Sequence, residues 1–153
     1  MILDYNFLPF PIGLMLLATE QKKLCWLSMG TEKDQLLSEL QRHYPKSELQ
    51  LNERLDLALA AVLPLKPKGT PWQQRVWHEL LQIPRGNTIS YSELAIRCAK
   101  PKAARAVASA CAKNPIALFI PCHRVVAKSG ALSGYRWGVK YKQWLLESER
   151  SHA

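Results

Sequence analysis

The segment Pro64-Leu65-Lys66-Pro67-Lys68-Gly69 divides the chain, because closely spaced prolines and a glycine continue neither a helix nor a strand. The next residues, Thr70-Pro71-Trp72-Gln73, combine a capping threonine, a proline suited to the first helical turn and a glutamine that completes a capping box. A new helix is therefore expected to begin here. The pattern predicts two domains, residues 1-66 and residues 67-153.

The first domain has the pattern of a small α/β unit. Residues 12–19 and 24–29 predict two strands joined by a polar turn. A helix is expected to begin at Thr31 and to end before Pro45, and residues 54–63 indicate a second helical stretch. The residues of this domain indicate no function.

The second domain has the pattern of a helix-turn-helix. Ser90 and Glu93 form another capping box, which opens a short helix that runs to about Cys98. A tight turn follows, and a second helix is predicted from Pro101 to about Lys113. The interior of that helix consists mostly of small residues, which allow close approach to a partner surface. A closing helix is predicted over residues 139–149.

Positive charge is concentrated in the second domain. The chain holds 21 Lys and Arg against 12 Asp and Glu, for a net charge of +9. No acidic residue occurs from Lys100 through Leu146, and such a one-signed field favours a polyanion such as nucleic acid. The basic residues of this stretch are Lys100, Lys102, Arg105, Lys113, Arg124, Lys128, Arg136, Lys140 and Lys142.

Composition also argues against several classes of protein. No apolar run reaches the roughly 20 residues that a membrane span needs, and the N-terminal residues lack the basic start of a secretory signal. The four cysteines are not arranged in close pairs, which argues against a disulfide framework and against a zinc site. We expect a cytoplasmic protein that is associated with the nucleoid when it is bound to DNA.

A cysteine stands beside a histidine and an arginine in the apolar run Ile120-Pro121-Cys122-His123-Arg124-Val125-Val126. A thiol becomes a strong nucleophile when it loses its proton, and neighbouring cations favour that loss. Residues 117–120 predict a short strand, so Pro121 has to break it if Cys122 and His123 are to face the same site.

Three kinds of chemistry fit this pair. A cysteine hydrolase is possible, with Asn114 to orient the histidine, but nothing marks a peptide site. A redox cysteine usually needs a resolving partner, and Cys111 is a poor candidate because it is expected on a helix. The third possibility is a thiolate that accepts a group from nucleic acid. This possibility alone accounts for the cysteine, the positive charge and the helix-turn-helix together.

The motif at residues 120–126 resembles the active-site signature of the O6-alkylguanine-DNA alkyltransferases, also called methylated-DNA–protein-cysteine methyltransferases. The similarity extends over nearly all of residues 70–149, includes Gly-Tyr-Arg-Trp-Gly at 134–138, and is strongest to the bacterial adaptive-response branch of that family. The resemblance implies an α/β N-terminal domain with a small sheet plus helices, ribonuclease H-like. A mostly α, winged-helix-like helix-turn-helix domain that binds DNA and carries the active site would follow.

The activity that the resemblance implies is direct, stoichiometric transfer of a methyl or other alkyl group from O6-alkylguanine in duplex DNA to Cys122, after nucleotide flipping. His123 would deprotonate Cys122 through a water, supported by Glu149. Tyr91 would hydrogen-bond the guanine, and Asn114 would brace the active-site turn. O4-alkylthymine is left open as a second substrate.

The resemblance also implies a DNA surface and a substrate pocket. Arg105 would fill the base stack after flipping, and Trp137 is expected to narrow the pocket and so favour methyl over benzyl adducts. Many relatives carry glycine near Ala108 and Ser109. The residues expected to contact DNA are Lys102, Ala104, Arg105, Ala108, Ser109, Lys113 and Arg124, and those expected to line the pocket are Val125, Tyr135, Arg136 and Trp137.

No metal and no soluble cofactor is expected. The implied partner is double-stranded DNA with alkylated bases, and the protein is expected to act as a monomer with no obligate protein partner and no membrane. Two other functions stay open: a protein that binds damaged DNA without repairing it, and a plain helix-turn-helix regulator.

Overall fold

The structure is a computed structural model, and it describes residues 1–132 and 134–151. Two compact units are present: Met1–Lys68 with Pro115–Ala117, and Gly69–Asn114 with Leu118–Ala153. The main division thus falls within the predicted linker. Residues 115–117 belong to the first unit, although the sequence pattern assigned them to the second domain.

The first unit contains a four-stranded sheet made of β1 (Ile2–Phe10), β2 (Gly13–Glu20), β3 (Lys23–Gly30) and β4 (Glu48–Leu51). The strand order is β3-β2-β1-β4. The β1–β2 and β2–β3 pairs are antiparallel, whereas β1 and β4 are parallel. Strands β2 and β3 confirm the sequence prediction, but β1 and β4 were not predicted. The position of β4 depends on pairing with residues that are distant in sequence.

Two helices complete the first unit. Helix α1 (Lys33–His43) buries Leu36 and Leu40 against a core that includes Trp26. Its N-cap is Glu32, whose side chain caps nothing, so the start expected at Thr31 is wrong. The helical stretch predicted over residues 54–63 is reduced to α2 (Leu57–Ala60), because the Asp56 side chain caps the Leu59 amide and fixes a late start.

The described part of the second unit contains four α-helices and two short parallel strands. The helices are α3 (Pro71–Leu80), α4 (Tyr91–Arg97), α5 (Ala104–Ala112) and α6 (Val139–Ser151), and the strands are β5 (Ile89–Ser90) and β6 (Val125–Val126). Helix α3 begins with the predicted capping box: the Gln73 amide donates to the Thr70 hydroxyl, and the Thr70 amide donates to the Gln73 side chain. The Ser90 hydroxyl likewise caps α4 by accepting from the Glu93 amide at 3.0 Å. The capping box at Thr70 was predicted correctly, whereas at Ser90 only the hydroxyl half of the predicted box is present, because the Glu93 carboxylate pairs with Arg97.

Two turns position the site. The turn between α4 and α5 places Ala99 in the left-handed region with φ of 60°, and α5 begins at Ala104 rather than at Pro101. The strand predicted over residues 117–120 is wrong: the chain turns there, and Leu118 has φ of 71°. A side chain in this conformation costs about 1–2 kcal/mol. Within the described ranges, no helix has the length and apolar character needed to cross a bilayer.

Candidate active site

A single 3-10 turn, Cys122–Arg124, carries the predicted nucleophile and its neighbours. Because no strand precedes Pro121, the strand break expected there does not apply. The 3-10 turn separates successive side chains by about a third of a rotation, whereas a strand would separate them by half a rotation. Only 4% of Cys122 and none of His123 is exposed. Both side chains therefore lie inside the second unit.

Asn114 braces this turn from the end of α5. The residue is fully buried, and its Nδ2 donates to the Ile120 carbonyl at 2.8 Å and to the Cys122 sulfur at 3.2 Å. A single amide thus joins α5, the backbone before the turn and the sulfur. This position agrees with the bracing expected of Asn114.

Burial dominates the electrostatics of the cysteine. It raises the pKa of Cys122 to about 11, and the hydrogen bond from Asn114 and the charges of Lys142 and Arg136 lower the pKa only in part. The sequence pattern favoured a thiolate stabilised by its neighbours, whereas burial favours the protonated thiol. Removing that proton at neutral pH costs on the order of 5 kcal/mol. Reaction therefore requires a base.

His123 and Glu149 form a buried pair beside the cysteine. His123 Nε2 lies 2.7 Å from Glu149 Oε1. Burial lowers the pKa of His123, and the hydrogen bond with Glu149 opposes that shift. His123 Nδ1 is buried and has no hydrogen-bond partner among the described residues. A neutral imidazole whose proton lies on Nε2 would offer Nδ1 as a base.

A cavity of about 370 Å³ opens beside the sulfur. Its volume is within the usual range for small-molecule sites. Ala108, Ala112 and Gly134 leave room because their side chains are small or absent. The lining residues are Tyr91, Ala108, Cys111, Ala112, Cys122, Gly134, Tyr135 and Arg136.

Cys111 is a lining residue that the sequence pattern did not assign to the pocket. It lies three residues after Ala108 on α5, and residues with this spacing share a helix face. Burial raises the pKa of Cys111 above the range in which a thiol titrates near neutral pH. The helical spacing from Ala108 is the signal that could have identified it.

Two of the four predicted pocket residues, Tyr135 and Arg136, line the cavity. The Tyr135 hydroxyl is buried, and burial followed by the proximity of Cys122 raises the pKa of Tyr135. Val125 and Trp137 are not among the lining residues. Val125 is buried, and the Trp137 ring packs against Tyr135 with a centroid distance of 5.2 Å.

The predicted DNA-contacting residues of α5 lie beside the cavity. Arg105, Ser109 and Lys113 are exposed, as is Lys102 before the helix. Ala104 is half-buried, and so is Ala108, whose side chain reaches the cavity wall. An exposed basic helix face therefore borders the opening.

Arg124 differs from its predicted role, because it is not a free surface cation. Only 14% of its side chain is exposed, and its Nη2 lies 2.8 Å from Glu149 Oε1. Lys142 is fully buried and donates to the Val125 carbonyl at 2.7 Å. The basic surface predicted from residues 100–146 is therefore smaller than the sequence indicated.

Comparison with known proteins identifies the family. A family model described as "6-O-methylguanine DNA methyltransferase, DNA binding domain" matches residues 71–151. The chain belongs to this family. Methylated-DNA--protein-cysteine methyltransferase of Haemophilus influenzae is 34% identical over 158 residues, which cover 97% of this chain and 87% of the relative.

Other members of the 6-O-methylguanine DNA methyltransferase family extend the comparison. The "Bifunctional transcriptional activator/DNA repair enzyme Ada" of Escherichia coli is 43% identical over 151 residues, 90% of this chain and 43% of the relative. The chain spans less than half the length of the Ada relatives that it matches. The crystal structure of Mycobacterium tuberculosis OGT in complex with DNA has a TM-score of 0.74 and 36% identity, and covers 100% of this chain and 95% of that one.

Proposed function

We propose that this protein repairs DNA by transferring a methyl or other alkyl group from O6-alkylguanine in double-stranded DNA to the Cys122 sulfur. The observation that carries the proposal is the cavity lined by Cys122, together with the buried pair that the next residue, His123, forms with Glu149. The Mycobacterium tuberculosis relative with the same overall fold forms a complex with DNA. Relatives that align with most of this chain are named for this transfer.

In the proposed reaction, His123 takes the Cys122 proton through a water, and Glu149 stabilises the imidazolium that forms. The sulfur attacks the alkyl carbon, so a C–S bond forms as the C–O6 bond breaks. The electron pair of the broken bond stays on the guanine, which takes up a proton. Tyr91, in the cavity wall, donates a hydrogen bond as negative charge develops on that base.

The product is a thioether, and no group in the proposed site cleaves a C–S bond. Each protein molecule therefore acts once. The chemistry calls for no metal and no soluble cofactor, because the sulfur is both nucleophile and final acceptor.

Access to the carbon requires that the nucleotide leave the stack, which costs a few kcal/mol. The exposed Arg105 side chain on α5 would occupy the vacated space and offset part of that cost. Lys102 and Lys113 would bind phosphates on either side. Ala108 would allow the helix to approach the duplex closely while the same residue borders the cavity.

We also propose finer fold assignments. The order β3-β2-β1-β4 with parallel β1 and β4 supports a ribonuclease H-like first unit. Helices α4 and α5 with the β5–β6 pair support a winged-helix-like second unit. We further propose that the protein acts as a monomer in the cytoplasm, with alkylated duplex DNA as its partner.

A direct test is the intact mass of the protein after incubation with a duplex that contains one O6-methylguanine. We expect a gain of one methylene mass, limited to one equivalent per protein, and none for Cys122→Ala. Tight binding of the damaged duplex with no change in mass would favour a lesion-binding protein. Equal binding of damaged and undamaged DNA, again without a gain, would favour a helix-turn-helix regulator.

A further inference from the structure

Arg124 is held by four hydrogen bonds in the interior of the second unit. Its Nε lies 3.2 Å and 3.1 Å from the two carboxylate oxygens of Glu149, and its Nη2 lies 2.8 Å from Oε1. Its Nη1 donates to the Ile83 carbonyl at 2.7 Å. The planar guanidinium therefore fixes the carboxylate of α6 relative to the turn that carries Cys122 and to the backbone after α3.

One carboxylate oxygen of Glu149 contacts both Arg124 and His123. Glu149 Oε1 accepts from Arg124 and lies 2.7 Å from His123 Nε2. An ionised carboxylate only accepts hydrogen bonds, so the histidine must carry its proton on Nε2 to use this contact. Nδ1, which has no hydrogen-bond partner among the described residues, is then left with a lone pair. The choice of tautomer thus depends on the charge of Glu149.

The charge of Glu149 depends in turn on its partners. Burial by itself raises the pKa of this carboxyl, but hydrogen bonds from His123 and Arg124 outweigh burial and hold the pKa at about 2. The charged groups near the pair are Arg124, the buried Lys142 and, next to Glu149 on α6, Arg150. Among these, Arg124 contacts both carboxylate oxygens.

We propose that Arg124 is a positioning residue for alkyl transfer, which holds Glu149 ionised and in place so that His123 presents Nδ1 as the base for the Cys122 proton. The inference rests on the proposed function. It replaces the DNA contact that the resemblance implied for Arg124. Arg124 does not touch DNA in this account and acts only through Glu149 and His123.

Loss of the Arg124 guanidinium is expected to raise the pH at which the His123–Glu149 pair takes up a proton. With Arg124 present, the ionised carboxylate and the neutral imidazole form part of a group with no net charge. Without it, a single negative charge is left in a buried site, and the His123–Glu149 pair then binds a proton more readily. That proton either neutralises Glu149 or occupies Nδ1. In both cases the base is lost at a higher pH than in the wild type.

The first readout is the rate of single-turnover methyl transfer as a function of pH, with an O6-methylguanine duplex. In Arg124→Met, we expect the acidic limb of the profile to move up by at least about one pH unit. Arg124→Lys keeps the charge but loses the two-oxygen contact, so its acidic limb should stay near that of wild type while its rate falls. Arg150→Met, which removes an equal charge beside Glu149, should leave both unchanged.

The second readout does not require activity. Nitrogen-15 spectra of the imidazole should show the His123 proton on Nε2 and a bare Nδ1 in wild type, and a protonated or mixed ring in Arg124→Met at the same pH. If Arg124→Met does not fold, the wild-type spectrum and the Arg124→Lys profile carry the test.

The outcomes separate the two proposals. A wild-type protein that gains no methyl mass refutes the proposed function, while the imidazole spectra still test the positioning role. If wild type transfers the methyl group and Arg124→Met keeps both the pH profile and the tautomer, the role assigned to Arg124 is wrong. A wild-type His123 with its proton on Nδ1 also overturns it, and so does an Arg124→Lys acidic limb that moves up like that expected of Arg124→Met.

Discussion

Asn114 donates a hydrogen bond of 3.2 Å from Nδ2 to the sulfur of Cys122, eight residues further along the chain. The same nitrogen donates to the Ile120 carbonyl at 2.8 Å. The amide thereby orients the sulfur and lowers its pKa against the opposing effect of burial. The geometry of the turn and the reactivity of the cysteine therefore depend on the same side chain.

Asn114→Ala is expected to slow methyl transfer and to destabilise the protein. The substitution removes a donor to the sulfur and leaves the buried Ile120 carbonyl without it, which costs about 1–3 kcal/mol. Urea unfolding and single-turnover transfer per folded molecule measure the two effects. Asn114→Asp keeps the shape but places an acceptor beside the sulfur, so it should transfer no faster than Asn114→Ala. A faster rate in Asn114→Asp would contradict the donor role.

Stability is expected to fall in acid in two pH ranges. The pKa of His123 lies below its ordinary value of 6.5, so the unfolded chain takes up a proton first and stability declines as the pH falls below that value. The pKa of Glu149 lies at about 2 against an ordinary 4.5, so its contribution is present above about pH 4.5 and is lost as the pH falls toward 2. That contribution is on the order of 3 kcal/mol.

Glu149→Gln should abolish the lower of these two ranges. Unfolding free energies measured in urea between neutral and acidic pH give the comparison. An unchanged decline below about pH 4.5 in Glu149→Gln would assign the effect to other carboxyl groups.

A larger side chain in the cavity wall is expected to obstruct the substrate base. Ala112 is exposed but lines the cavity, so Ala112→Leu should fold normally and obstruct the site. We expect reaction with free O6-benzylguanine base to slow by at least about tenfold, because small misplacements of reacting groups are costly. Ser109→Leu on the same helix does not reach the cavity wall and should react like wild type. Equal losses in both variants would show that the base binds elsewhere.

Arg105→Ala is expected to slow transfer from duplex DNA without slowing reaction with the free base. If Arg105 fills the vacated stack, its loss slows transfer from duplex DNA by about tenfold or more, or about 1.4 kcal/mol, and leaves reaction with free base nearly unchanged. Arg97→Ala is the matched control, since Arg97 is an exposed arginine of α4 paired with Glu93. Similar losses on duplex and free base would exclude the stack-filling role.

Local signals in the sequence were sufficient to predict several elements. The caps at Thr70 and Ser90 are each formed by residues three apart: the full capping box is present at Thr70, and at Ser90 the hydroxyl accepts from the Glu93 amide. In contrast, β4 depends on pairing between Ile2 and Glu48, which the sequence of either strand does not indicate.

The environment of the site was harder to predict for the same reason. Arg124 and Lys142 stand in a run of basic residues that looks like a DNA-binding surface. Arg124 is instead paired with Glu149, 25 residues away, and Lys142 with the Val125 carbonyl, 17 residues away. Charge patterns do not distinguish an exposed cation from one that is buried with a distant partner. The raised pKa of Cys122 likewise reflects burial that only the folded chain produces.

The central claim is that Cys122 keeps the carbon that it removes from DNA. The most direct test uses a duplex with an isotopically labelled methyl group on O6 of one guanine, followed by peptide mass spectrometry of the protein. We predict that the label appears on Cys122, in one equivalent, while the guanine is restored. Label on Cys111 or on any other residue, or guanine restored with no label on the protein, would contradict the account.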